Sequence, residues 1–472
     1  MKDTKVVGYL PDEKPSLGKA IVFALQQFLV MLPATILAAI IMNGNGLVIY
    51  SIPAALFASG IATISFLFIT KFKIPLYYGS SFSYIPAVAI VVTYATGLGI
   101  TDNIQVLGAI LIASILSGLM SIGAGLLIKR VGREKVDQIL PGHITGMIAM
   151  IIGLSLADNT MSAILTPNVA NFAGTDWLSV LVAIITFLTI SILTVVLRKG
   201  FISQIPILIG LGVGVIFSYL LWVPLSESAG GYSAYFTNIN TASTVKMLDV
   251  MPWHTISAAF ENVALIGVAL LAIFPIAFAT IPESAAHVNQ ISLYVNELSN
   301  QKGGKHYDIA KLLPENLIGD GTADIIAVVL GGPAGTNYGE NISASAVTKN
   351  FSSYVFFITG IIAVIIALVL EIGGLGDLSL ILTAPVIQGV SLYLFGAIAV
   401  QGIALMIDKK VDVFDPKVIT VMAFIGIVGL GVNQIQVSDT FILPGIGVAA
   451  FGGILLNLLL NLLIKKTKQE TT

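Results

Sequence analysis

Apolar runs of roughly twenty residues, parted by short polar breaks, repeat along the chain from Leu17 to Ile464. A helix needs about 20 apolar residues to cross a bilayer, so the pattern predicts an all-α polytopic membrane protein. Fourteen segments are expected, near 17–43, 47–70, 82–98, 104–128, 139–157, 177–197, 203–222, 262–293, 314–331, 340–350, 352–372, 383–407, 417–433 and 441–464. Segments 3 and 10 are the short ones, and each follows an extended stretch. There the chain departs from plain hydrophobicity.

The stretch around segment 10 reads GGPAGTNYGENISASAVTK over Gly331–Lys349. Pro333 and Gly335 stop the preceding helix. Glu340, Asn341 and Ser343 suit the start of a new one, where side-chain oxygens meet exposed backbone N–H groups. That helix has about half the length a span requires. Broken backbone at membrane depth is tolerated only where protein buries it or it lines a polar cavity. Tyr78-Gly79-Ser80-Ser81-Phe82-Ser83 matches Tyr338-Gly339-Glu340-Asn341-Ile342-Ser343 in character, 260 residues earlier, and each follows a proline, Pro75 or Pro333. The same offset pairs Gln27 with His287. Paired broken segments in two halves of a membrane chain point to a transporter's binding site. Seven segments per half is an odd repeat, which implies halves inverted about an axis in the membrane plane.

Of the 472 residues, 56% are hydrophobic and 10% charged, which excludes a soluble fold. The chain has no Cys and four scattered His, leaving no thiolate metal site and little for any metal centre. Neither a cofactor, a nucleic-acid partner nor enzyme chemistry is expected. The first apolar run is too long for the core of a signal peptide. If the N-terminus is cytoplasmic, every even segment ends in the cytoplasm, and the basic residues follow that rule. Lys71 and Lys73 follow segment 2, Lys129 to Lys135 segment 4, Arg198 and Lys199 segment 6, and Lys302 to Lys311 segment 8; Lys349 ends segment 10. Lys409 to Lys417 follow segment 12, and Lys465 to Lys468 follow segment 14. With four Lys before or at segment 1, only Lys246 of 23 basic residues falls outside. This positive-inside pattern places both termini in the cytoplasm.

Segment 8 carries the second polar cluster. Thr280, Glu283 or Ser284, His287 and Gln290 recur every three to four residues and form one polar stripe. Glu283 and His287 are i, i+4 neighbours able to share a hydrogen bond, either at a ligand site or as glue between helices. A carboxylate at the bilayer centre costs about 2.5–3.5 kcal/mol, so it marks function by default. Pro282 is expected to bend the helix, with Pro275 a second weak point. Asp320 and Asp324 read as caps or bridges, and Gln26 and Gln27 as packing or as support for the site. With the clusters brought together, Glu283 and Glu340 supply acceptors. Backbone N–H groups near Phe82 and Gly339 supply donors, aided by two positive half-helix ends, and Phe82 offers a stacking face. A planar ring with alternating N–H and C=O groups, a pyrimidine or purine base, fits that set.

These residues resemble the nucleobase–ascorbate transporter family, the nucleobase:cation symporters, over essentially the whole chain, and within it the bacterial uracil permeases. The family signature is matched by Glu340-Asn341-Ile-Ser343-Ala-Ser-Ala-Val-Thr348-Lys349. Gly79-Ser80-Ser81-Phe82 is similar to the segment 3 motif, and Glu283 with His287 to the Glu-x-x-x-His of segment 8. Ala384-Pro-Val-Ile-Gln-Gly-Val-Ser391 resembles the start of segment 12. The resemblance implies a core domain (17–128 and 262–372) and a gate domain (139–222 and 383–464). It implies base binding by Glu283 and Glu340 with main-chain contacts at Phe82 and Gly339. Coupling of H+ through a carboxylate and the His287–Ser81 neighbourhood also follows, with Asn341 and Gln27 in support. So does a homodimer in the cell membrane that imports uracil or a related base. Ser343 stands where the signature has Gly, Gln26-Gln27 where segment 1 has Gln-His, and Pro282 where Ala is usual. The alternatives are a purine permease or a sodium-coupled symporter of the same fold, and more distantly an anion transporter of similar architecture, a channel or a receptor. Two acidic residues at the half-helix ends argue against the anion transporter.

Overall fold

A computed structural model describes residues 8–43, 47–132, 141–165, 175–197, 205–233, 235, 246–247, 249–373, 382–432, 434–438 and 441–470. Every expected segment coincides with a helix. In the first half these are α1 (Leu17–Met42), α2 (Ile52–Ile69), a 3-10 turn (Phe82–Tyr84) leading into α3 (Ile85–Gly97), α4 (Asn103–Val131), α5 (Gly142–Leu165), α6 (Trp177–Val196) and α7 (Pro206–Phe217, carried on to Leu225). A short helix, α8 (Pro252–Ala259), precedes the second half. There follow α9 (Val263–Ile273) running into α10 (Ala277–Gln301), α11 (Leu313–Val329), α12 (Gly339–Thr348), α13 (Ser353–Ile372), α14 (Ala384–Asp408), α15 (Pro416–Gly431) and α16 (Gly445–Glu470). Among the described residues, 10 helices are long and apolar enough to cross a membrane. The starts of segments 5 and 7, with Arg133, Lys135, Arg198 and Lys199, lie outside the described residues.

The lipid-facing surface can be read from α6. Leu181, Ile184, Leu188 and Ile192 are exposed, whereas Val182, Ala183, Thr186 and Ile190 are buried. Exposed leucines and isoleucines at helical spacing suit hydrocarbon and not water.

The helices fall into two packed sets. In one, α13 packs on α1 and α2, and α11 packs on α2 and α4. In the other, α14 packs on α5 and α6, α15 on α5 and α16, and α6 on α7. Glycines let backbones meet at the crossings, the usual device where lipid removes any hydrophobic drive between helices. A Cβ on Gly60 would lie 2.6 Å from the carbonyl oxygen of Gly360, and one on Gly360 2.9 Å from that of Gly60. Gly118 and Gly321 repeat this at 2.8 and 2.3 Å. The first crossing joins segments 2 and 11, the second segments 4 and 9. The seven-segment inverted repeat expected from the sequence would carry one pair onto the other, as two copies of one contact. Gly146 and Gly402 meet in the same reciprocal way between segments 5 and 12, which the repeat exchanges.

The extended stretches before the half-helices are strands. β1 (Tyr78–Ser80) and β2 (Gly335–Asn337) pair antiparallel, with Tyr78 opposite Asn337, Gly79 opposite Thr336 and Ser80 opposite Gly335. Two details differ from expectation. The break in segment 8 is a 3-10 turn at Phe274–Ile276, around Pro275, while Pro282 lies inside continuous α10. Pro282 removes only the one hydrogen bond its missing N–H would make to the Phe278 carbonyl, and the helix runs on to Gln301. Segment 14 begins at Gly445 and not near 441, because a hairpin of β3 (Gln434–Ser438) and β4 (Phe441–Pro444) intervenes.

Candidate functional site

Backbone satisfaction explains how the crossing is held. Gly79 has no room for a side chain: a Cβ there would lie 2.3 Å from the Tyr338 ring. Ser59 and Thr63 donate to the Tyr78 carbonyl at 2.8 and 3.1 Å, and the Tyr78 amide donates to Thr63 Oγ1 at 3.0 Å. The Tyr338 amide donates to the Tyr77 carbonyl at 2.8 Å and its hydroxyl to the Ser80 carbonyl at 3.0 Å. Asp324 accepts from the Gly335 amide at 2.7 Å and from the Tyr78 hydroxyl, so one buried carboxylate ties both strands. Such cross-bonding leaves little freedom to the two helix starts that follow.

These starts and α10 face a cavity of about 290 Å³, near the lower end of small-molecule sites, about 300 Å³. Ser81, Phe82, Glu283, His287, Gly339 and Glu340 all line it. Glu283 comes from α10 and Glu340 from the start of the half-helix α12, both in the second half of the chain, and both are half-buried. Ser83 Oγ donates to Glu283 Oε2 in a long contact of 3.5 Å. Ser81 Oγ accepts from the Ser83 amide at 3.2 Å and caps the 3-10 turn. Phe82 packs edge-on to Phe395 of α14, ring centroids 5.5 Å apart.

Asn341 and Gln27 stand behind the cavity. Asn341 Nδ2 donates to the carbonyl and Oε1 of Gln27 at 2.9 and 2.7 Å, and Gln27 Nε2 donates to Ser345 at 2.9 Å. The expected Glu283–His287 hydrogen bond is not formed. His287 lies against Gly339, where a Cβ would be 3.1 Å from Nε2, and its Nδ1 is buried without a protein partner. The stripe on α10 splits: Glu283, His287 and Gln290 face the cavity. Ser284 turns away to accept from Asn316 at 2.7 Å and Asn337 at 3.2 Å.

Sequence reasoning missed the opposite wall. Thr145, Ala149 and Ile152 of α5, with Ile398 and Gln401 of α14, close the cavity from the second helix set. A cue was the amide of Gln401 in an apolar run. A neighbouring cavity of about 250 Å³ shares Thr145, Ala286, Asn289 and Leu405 and reaches Pro141 and Lys409.

A family model described as "Permease family" matches residues 18–438. Over 448 residues the chain is 32% identical to a uracil permease of Bacillus caldolyticus, covering 95% of this chain and 93% of that protein. The chain belongs to the nucleobase–ascorbate transporter family. It is a multi-pass membrane transporter. A second member, the putative pyrimidine permease RutG of Escherichia coli, is 30% identical over 453 residues, covering 96% and 91% of the two chains. Solved structures share the fold at lower identity. The transmembrane domain of the cyanobacterial bicarbonate transporter BicA superposes with TM-score 0.58 at 13% identity, covering 94% and 97% of the chains. Murine Slc26a9 in its inward-facing state gives 0.59 at 12%, covering 96% of this chain and 70% of that one. Those anion transporters share the architecture alone. The cavity here is lined by two carboxylates and, among the described residues, by no Lys or Arg.

Proposed function

We propose that this transporter imports uracil or a close pyrimidine with a proton. The reading rests above all on Glu283 and Glu340, which reach one cavity from α10 and from the start of the half-helix α12. The relatives named uracil permease support the choice of base. In this mechanism the carboxylates accept hydrogen bonds from ring N–H groups. Phe82 stacks on the ring, and the amides at Phe82 and Gly339 donate to ring carbonyls. Two carboxylates facing one poorly solvated space share a proton more readily than two separated ones, which provides a carrier for the coupled H+. His287 and Ser81 sit beside that proton, and the Asn341–Gln27 pair holds the Glu340 helix in place. The set built from segments 1–4 and 8–11 is the moving core. The set from segments 5–7 and 12–14 is the gate, through which a homodimer forms in the cell membrane. With both termini cytoplasmic, the smaller neighbouring cavity leads inward past Lys409.

The test is labelled uracil uptake into cells lacking their own uracil permease, with and without a protonophore, for wild type and Glu283→Ala. Wild type should accumulate uracil, more at acid pH, and lose accumulation with the protonophore. An unmet ring N–H costs about 1–3 kcal/mol, roughly 5- to 150-fold in affinity, so the variant should lose most uptake at normal expression. Wild-type uptake by Glu283→Ala would remove Glu283 from the site. Full accumulation in the presence of protonophore would remove proton coupling.

A further inference from the structure

A second cavity, of about 760 Å³, lies at the end of the molecule where segments 2 and 8 finish and segments 1 and 11 begin. Four separate pieces of chain build it: the strap before α1 (Pro11 to Lys14), the turn Lys71–Lys73, the loop Lys305–Leu312, and the start of α13. Its wall is aromatic. Phe72 lies 5.3 Å from Phe68 and 5.9 Å from Phe357, centroid to centroid, and Phe68 is 60% exposed on the lipid-facing side. Lys14 stands over the Tyr354 ring at 5.4 Å.

The charges around the rim are unbalanced. Asp12 is taken by Lys305 at 2.8 Å and by the Tyr307 hydroxyl at 2.6 Å, and these partners hold its carboxyl below the usual range. Asp308 is taken by Lys311 at 3.0 Å and approached by His306 at 3.7 Å. Lys14, Lys71 and Lys73 form no ion pair with a described residue. The turn that presents Lys71 and Lys73 is strained: Lys71 and Phe72 have φ of 53° and 57°, in the left-handed region that non-glycine residues avoid. Ser353 Oγ donates to the Phe72 carbonyl at 2.8 Å and the Phe72 amide to the Leu67 carbonyl at 2.8 Å, holding the turn in place.

We infer that this cavity binds an anionic glycerophospholipid of the surrounding leaflet. Lys14, Lys71 and Lys73 hold its phosphate, and an acyl chain runs along Phe72, Phe357 and Phe68. Unpaired cations supply the complementary charge, and the aromatic wall opens onto the lipid side. Each basic group at an anionic bilayer surface is worth about fivefold in affinity, so three give about a hundredfold.

The protein purified in neutral detergent is titrated with phosphatidylglycerol, phosphatidylcholine or inorganic phosphate while its thermal unfolding is followed. Phosphatidylglycerol should raise the unfolding temperature saturably, and the other two should not. The triple variant Lys14→Gln/Lys71→Gln/Lys73→Gln should need about a hundredfold more phosphatidylglycerol for half-saturation. Lys129→Gln, a charge removed from the far end of α4, should leave the titration unchanged. Should the triple variant not fold, Lys73→Gln alone is measured and should shift half-saturation about fivefold. Equal responses to phosphatidylglycerol and phosphatidylcholine, or an unshifted lysine variant, would overturn the inference. Stabilisation by inorganic phosphate at similar concentration would make this a soluble-anion site and overturn the lipid.

Discussion

Asp176 illustrates what one side chain decides at the end of a segment. It caps α6, accepting from the Leu178 and Ser179 amides at 3.1 and 3.3 Å. It also accepts from Trp222 Nε1 at 2.8 Å, from Ser226 Oγ at 2.5 Å and from Ser228 Oγ, which join segment 7 to segment 6. Burial alone would push its carboxyl up, but the donors at Ser226, Ser228 and Trp222 outweigh it, and the group sits below the ordinary 3.8. A depressed folded-state value means that the contribution is complete above the unfolded value and lost as pH falls through the folded one. Asp176→Asn should therefore cost about 1–3 kcal/mol at neutral pH. In detergent melts from pH 7 downward, the gap to wild type should hold and close only below pH 3.8. A gap that closes near neutrality would point to a different group. At the same scale, the cavity's acidic residues were legible because polar side chains in apolar runs are costly and stand out. The Gln27–Asn341 bond was not, since its partners are 314 residues apart.

At the scale of elements, the strand crossing is the least tolerant part. A Cβ on Gly335 would lie 2.0 Å from the Gly79 carbonyl oxygen, while one on Gly267 of α9 meets nothing within 4 Å. Gly335→Ala should destabilise by about 3 kcal/mol or more, as overpacking does at its upper end. Gly267→Ala should be neutral or stabilise by up to about 1 kcal/mol. Detergent melting curves for the two variants separate these outcomes, and equal behaviour would contradict the crossing's geometry. Proline and glycine punctuation made both broken helices readable before any contact was known. The β3–β4 hairpin escaped because Phe441–Pro444 merges with the apolar start of α16. The basic cavity escaped because its lysines come from loops that only folding brings together.

At the scale of the whole molecule, the two helix sets meet across the cavity and along α10, where Phe278 faces Phe451 of α16 at 5.6 Å between ring centroids. If the sets slide past one another during transport, a bridge here should stop it. The chain has 0 Cys, so Phe278→Cys/Phe451→Cys introduces the only thiols. A short bifunctional maleimide should abolish uptake in the double variant and spare either single one. Uptake that persists after complete cross-linking would rule out relative motion of the sets at this contact. The set that contains α10, α12 and α13 also depends on the strap before α1. The Tyr9 amide donates to the Lys349 carbonyl at 2.8 Å, the Phe351 amide to the Tyr9 carbonyl at 2.8 Å, and Lys302 reaches Glu13 at 2.6 Å. Tyr9 leaves the ribosome long before its partners Lys349 and Phe351 are made. At about 5–20 residues per second that wait lasts on the order of tens of seconds. Throughout it, the strap waits at the membrane surface without these partners. The helix bearing Glu340 is thus latched late, by a stretch of chain made long before it.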